Sequence, residues 1–198
     1  NQTFIDFKAN DFRTVYTDAV QIIPALKKIT SPDLRKINYL TFTGSFTGFI
    51  NDFVTYGTIQ TNLGTIRSDL NMKLPAGQDP VYSGSIATDN FRLGEFLGDP
   101  SIGLVSMTGT VKGKGFSEKS RNTLVDGDIR FAEYKGYRYN NIQVKGKLDK
   151  KLFDGTASIY DNHLQMDMSG LIDFNSKTPR FNLLAKVDKA NLDRKSVV

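Results

Sequence analysis

From Thr65 to Leu74 apolar and polar side chains alternate. Ile66, Ser68, Leu70, Met72 and Leu74 fall on one side, and Thr65, Arg67, Asp69, Asn71 and Lys73 on the other. Successive side chains of a β-strand point to opposite faces, so the pattern predicts a strand with one dry face and one wet face. The same split sets Ile142, Val144 and Leu148 against Gln143, Lys145, Lys147 and Asp149. It returns where Leu164, Met166, Met168, Ile172 and Phe174 face away from Gln165, Asp167, Ser169 and Asp173. Further strands are predicted at 38–48, 53–61, 81–88, 104–112, 124–131, 153–160 and 180–188. About ten strands result, joined mostly by short turns such as Pro75–Pro80 and Asp161–His163.

One stretch departs from period two. Phe12, Val15, Tyr16, Ala19, Ile22, Ile23 and Leu26 follow helical spacing, with Lys27 and Lys28 at the C-terminal end, which predicts a helix over 12–28. Pro24 should kink or divide it, and Ser31-Pro32-Asp33 should end it. The chain then divides into an N-terminal strand and helix at 1–37 and one continuous sheet at 38–198.

Glycine adds a second signal. Gly44, Gly84, Gly109, Gly127, Gly146, Gly155 and Gly170 all fall in mid-strand on the apolar register. A strand glycine weakens pairing unless it permits a bend, a bulge or a close approach. Two arrangements account for the set: a strongly curved sheet with an apolar concave side, or a sandwich in which small residues receive aromatics from the opposite layer. Weak internal repetition favours a sheet that grew by accretion. Leu40–Gly48 matches Val105–Gly113, and Pro80–Leu93 matches Pro179–Leu192, giving repeats over 38–98 and 102–194. The two offsets differ, so there is no fixed solenoid period.

Composition narrows the functions available. The 198 residues contain no cysteine and one histidine, so disulfides, thiolate metal sites and Cys–His dyads are out of reach and no metal or cofactor is expected. No run of about 18 apolar residues and no leader pattern is present, and a start at Asn1 with a stop in Asp193–Ser196 suggests a piece of a longer chain. The net charge of +5 suits an anionic partner, but the basic residues are spread along the strands rather than gathered as for nucleic acid.

Candidate chemistry is sparse. His163 falls in a polar turn and reads as a turn residue. Asp126 and Asp128 share a wet strand face, where acid pairs are ordinary. Gly109–Ser117 departs from the phosphate-loop pattern because Lys114 is followed by glycine, so it reads as a strand end. Tyr134, Tyr137 and Tyr139, beside Lys135 and Arg138, either pack across strands or stack on a sugar or base. No enzyme is expected.

Four stretches carry a family resemblance: Phe42–Phe49 (FTGSFTGF), Leu63–Leu70 (LGTIRSDL), Thr88–Gly94 (TDNFRLG) and Tyr134–Ile142 (YKGYRYNNI). In order and spacing they resemble the periplasmic part of the AsmA/TamB superfamily, most closely TamB-like translocation and assembly modules. The resemblance implies a long curved sheet forming an open, taco-like apolar groove. It further implies a periplasmic location, tethering to the inner membrane by an anchor outside this piece, and a role in moving phospholipid or another acyl-chain lipid and in outer-membrane assembly. Assembly proteins of the outer membrane are then possible partners, and nucleic acid is not. On that reading Leu70, Met72, Leu74, Met107, Val111, Val144, Leu148, Met166 and Met168 line the groove; the four methionines suit chains of varied shape. The alternative is a closed β-sandwich binding module, carbohydrate-binding or adhesin-like, with the same positions as its core.

Overall fold

The computed structural model describes residues 3–22, 24–28, 33–176 and 178–191. Among them, eleven strands lie side by side in chain order in one antiparallel sheet. They are β1 (Phe4–Thr14), β2 (Leu40–Phe49), β3 (Asp52–Thr61), β4 (Gly64–Lys73), β5 (Val81–Arg92), β6 (Ile102–Lys114), β7 (Asn122–Tyr134), β8 (Tyr137–Asp149), β9 (Leu152–Tyr160), β10 (Leu164–Asp173) and β11 (Arg180–Ala190). Short connections allow only an antiparallel neighbour, so a chain of hairpins becomes a meander. Between β7 and β8, Lys135 (φ 50°) and Gly136 (φ 77°) are both left-handed, the backbone a two-residue hairpin needs to follow the strand twist. β1 and β11 remain as free edges, and the sheet does not close into a barrel.

The helix at 12–28 is shorter than its spacing predicts. Phe12 belongs to β1, where it stands opposite Phe42, and α1 runs only from Tyr16 to Ile22. The ladder with β2 takes the backbone groups that the first helical turn would need. A 3-10 turn at Pro24–Lys28 follows, so the helix and this turn fall on either side of the division expected at Pro24. Ile23, Ser31, Pro32 and the residues from Leu192 onward lie outside the described residues. A second helix that the alternation did not predict, α2 (Leu93–Leu97), joins β5 to β6 and ends at Gly98 in the left-handed conformation (φ 79°).

The buried apolar cluster sits at one end of the strands. Leu63, Phe91 and Val105 form a small core beneath α2, with Ile37, Ile66, Leu93, Phe96, Met107, Ile129 and Ala132 packed around it. Among the described residues only six apolar ones are buried: these three with Ala9, Val20 and Phe131. A sandwich of this size would need far more, and no second sheet covers the first among the described residues. The chain exposes 12,725 Å², whereas a compact chain of 22.1 kDa exposes roughly 9,300 Å². The closed-sandwich alternative is therefore set aside.

Candidate functional site

The ladder registers carry one face unbroken from edge to edge. Ala9, Gly44, Gly57, Ser68, Ile86, Gly109, Gly127, Val144, Ala157, Met168 and Ala185 stand opposite one another in turn across all eleven strands. The neighbouring row runs from Phe7 and Phe46 through Leu70, Gly84, Val111, Val125, Gly146, Gly155 and Gly170 to Leu183. Eight glycines occupy these two central rows, including Gly57, which the sequence reading passed over.

Larger side chains flank this band on both sides. Phe53, Met72, Tyr82, Leu148, Phe153 and Ile172 form one flank, and Phe42, Ile59, Ile66, Met107, Ile129, Ile142, Ile159 and Met166 the other. A low floor between taller walls is a trough running across the strands. Ten strand spacings of about 4.8 Å make it about 48 Å long. No aspartate, glutamate, lysine or arginine occurs in any of the four rows.

Burial shows which way the sheet bends. Along β8, Ile142, Val144, Gly146 and Leu148 are half-buried, whereas Gln143, Lys145 and Lys147 between them are exposed. Without a covering layer, such a difference arises when side chains on one face crowd together, as on the inside of a curve. The backbone supplies the bend through breaks in register between β1 and β2, β5 and β6, β6 and β7, and β10 and β11. Gly84 contributes directly: its φ is 143°, and a Cβ there would lie 1.9 Å from the Asp69 carbonyl oxygen of the adjacent strand. Only glycine fits so close to a neighbouring backbone.

Eight of the nine expected lining residues share this face. Leu70 and Val111 lie in one central row, Val144 and Met168 in the other, Met72 and Leu148 on one flank, and Met107 and Met166 on the opposite flank. Met107 also packs against the small core, so it borders the trough at the α2 end. Leu74 lies beyond the β4 ladder, where its N–H donates to the Asn51 carbonyl at 2.7 Å. It lines a recess of about 390 Å³ with Pro24, Pro75, Pro80 and Phe116. Phe116 stacks on Tyr82, a trough residue, with ring centroids 5.3 Å apart. Pro24 therefore sits at the trough's lip at this end, while Lys36 bonds the Glu95 carbonyl at the other. In α1, Val20 is buried.

Sequence reasoning passed over most of the aromatic lining. Phe46 and Phe53, with ring centroids 4.5 Å apart, stack where β2 meets β3, and Ile86, Met107, Val111, Val125, Ile129 and Val144 surround a dry recess of about 200 Å³ over Gly109 and Gly127. The signal was present as alternation in 40–59. It was hidden because Thr43, Thr47, Thr55 and Thr58 fall on both faces.

The wet face and the strand ends hold the ionisable groups. Asp126 pairs with Lys145 at 2.8 Å, and the Asp128 carboxylate accepts from Gln143 at 3.0 Å, so neither faces the other as a carboxylate dyad. Lys112 and Lys114 are part of β6, which makes Gly109–Ser117 a strand end and loop rather than a phosphate cradle. His163 is half-buried in the β9–β10 turn, its ring edge-on to Tyr137. The neighbouring Asp161 is buried, which alone would raise its pKa. Hydrogen bonds from the Tyr137 hydroxyl (2.6 Å), the His163 N–H (3.0 Å), and the Asn140 side-chain amide (2.8 Å) and N–H (3.2 Å) outweigh that and hold it at about 2. This carboxylate pins the β7–β8 hairpin to the next turn and so fixes one lip of the trough. Tyr137 and Tyr139 pack edge-to-face, 4.6 Å between centroids, in keeping with the packing alternative for the tyrosine cluster.

No protein-family model matches the chain, and neither the curated proteins nor the solved structures contain a significant match to it.

Proposed function

We propose that this chain shields the acyl chains of a lipid in its trough, as a non-enzymatic segment of a protein that carries lipid between membranes. The observation that carries the reading is the continuous, charge-free apolar face with a glycine floor and, among the described residues, no second sheet upon it. Water against such a face is unfavourable, and no second sheet fills the space among the described residues. Removing about 15 methylenes from water is worth roughly 12 kcal/mol, which is why lipid does not cross an aqueous gap unaided. A trough that solvates the tail about as well as a bilayer lowers that barrier without trapping the lipid. The headgroup stays in water at the open side.

The resemblance to the AsmA/TamB superfamily supports the same reading, and with it a periplasmic setting, an inner-membrane anchor elsewhere in the protein and phospholipid as cargo. The test uses a photo-crosslinking residue at Met72 or Met166, with one on the wet face at Lys145 as control. Capture of phospholipid in cells from the two trough positions but not from Lys145 is the expected result. Equal capture from all three, or none from any, would overturn the proposal.

A further inference from the structure

The two ends of the strands differ in charge. At one end the loop between β6 and β7 lies against the turn between β8 and β9: the Lys150 N–H donates to the Arg121 carbonyl at 2.7 Å, and Lys151 pairs with Glu118 at 2.8 Å. Segments 111–122 and 146–152, which hold this loop and turn with their flanking strand ends, carry seven cations against two carboxylates. Their excess of five equals the net charge of the whole chain, so the remainder is neutral. At the opposite end, segments 89–101, 130–138 and 161–163 hold four cations and five carboxylates. Most of those are joined in the pairs Arg130–Asp89, Arg138–Glu133 and Arg92–Glu95.

The basic end is under-paired as well as crowded. Lys151 and Lys147 have carboxylate partners, whereas Lys112, Lys114, Lys119, Arg121 and Lys150 make no ion pair among the described residues. Lys112, Lys114, Lys119 and Lys150 repel one another within a few strand spacings, and Arg121 only shares Glu118 with Lys151, a cost that an anionic surface would relieve. Exposed aliphatic side chains lie among them. Lys112 and Lys147 flank Leu124 in one register row, and Leu124 is 54% exposed. Val81, 46% exposed, stands opposite Lys114. Lysine interleaved with exposed aliphatics suits the boundary between headgroups and acyl chains, whereas nucleic-acid surfaces offer arginine and aromatic platforms.

From this charge asymmetry we infer that the lip of the trough formed by the β6–β7 loop and the β8–β9 turn docks on a bilayer surface bearing anionic phospholipid headgroups. The inference extends the lipid-carrying reading by naming the lip along which the trough meets a membrane, and it is tested separately from that reading. Docking there would bring the Leu74–Phe116 recess and the adjoining open side of the trough against the headgroups.

The experiment is co-sedimentation of the chain with phosphatidylcholine vesicles, with and without about 30% phosphatidylglycerol, at roughly 50 and 300 mM salt. Binding is expected only with phosphatidylglycerol and should weaken as salt rises. The fourfold variant K112Q/K114Q/K119Q/K150Q should bind about a hundredfold or more weaker, because each lysine near an anionic surface contributes measurably. The matching arginine variant should bind as wild type does. Removing four charges elsewhere, as K8Q/R92Q/K135Q/K189Q, should change binding by less than about threefold, and circular dichroism verifies that each variant keeps its sheet. Undiminished binding by the first variant, equal binding to pure phosphatidylcholine, or displacement from vesicles by a single-stranded oligonucleotide would overturn the inference. Crosslinking at Met72 with lipid supplied in micelles reads the trough independently, so failure of docking and failure of carriage are distinguishable.

Discussion

Two glycines of the trough floor, one strand apart from a common neighbour, should respond in opposite directions to the same substitution. At Gly84 the backbone has φ 143° and an added Cβ would meet the Asp69 carbonyl oxygen at 1.9 Å, a contact that only backbone movement relieves. Strain of this kind costs about 1–3 kcal/mol, so G84A should lower the melting temperature by several degrees in a chain of this length. At Gly127 the backbone is ordinary for a strand, and the nearest atoms to an added Cβ are the Thr108 carbonyl oxygen at 3.4 Å and Gly109 Cα at 3.9 Å. Here G127A should stabilise by about 0.4–1 kcal/mol, chiefly by restricting the unfolded chain. G127L then becomes a probe of function. It keeps the fold but places four carbons in the dry recess of about 200 Å³ bounded by Val125, Ile129 and Val144. Thermal unfolding followed by circular dichroism reads the first pair, and lipid capture from Met166 reads the third. If G84A is as stable as wild type, the glycines do not create the bend. If G127L is stable and captures lipid as before, acyl chains do not lie on this floor.

Other consequences can be measured with the same methods. Asp161 titrates at about 2 when folded, below its ordinary 3.8, so its stabilisation is complete above about pH 4 and is lost as pH falls through 2. The loss should be about 1–2 kcal/mol, less than the shift alone implies because the turn lies close to solvent, and D161N should reduce the acid dependence between pH 4 and 2 in urea titrations, the remainder coming from other lowered carboxylates such as Glu133 and Asp173. Leu63 is fully buried in the one small core, and L63A should cost about 2–5 kcal/mol and loosen α2 first, as hydrogen exchange would report. M168D places a charge in the central row without contacting the core, and should abolish lipid capture from Met166 while shifting the melting temperature little; unchanged capture would show that the chains pass elsewhere.

The sequence by itself determined the strands and their faces, because period-two alternation is local and sheet pairing only has to respect it. Thus Leu70, Met72, Val144 and Met168 could be assigned to one side before any neighbour was known, and seven of the eight floor glycines could be assigned with them. The start of the helix was not legible in the same way: Phe12 has helical spacing to Val15 and Tyr16, yet pairing with Phe42 across a loop of some 25 residues holds it in β1. Tertiary structure alone decided three things. Register aligned the glycines into a continuous band, since a slip of one residue would send each side chain to the other face. The absence of a second sheet among the described residues left that band without a sandwich partner, which composition does not encode. The meeting of two loops distant in sequence gathered lysines that look scattered along the chain into one basic end, because charge density is a property of space rather than of sequence order.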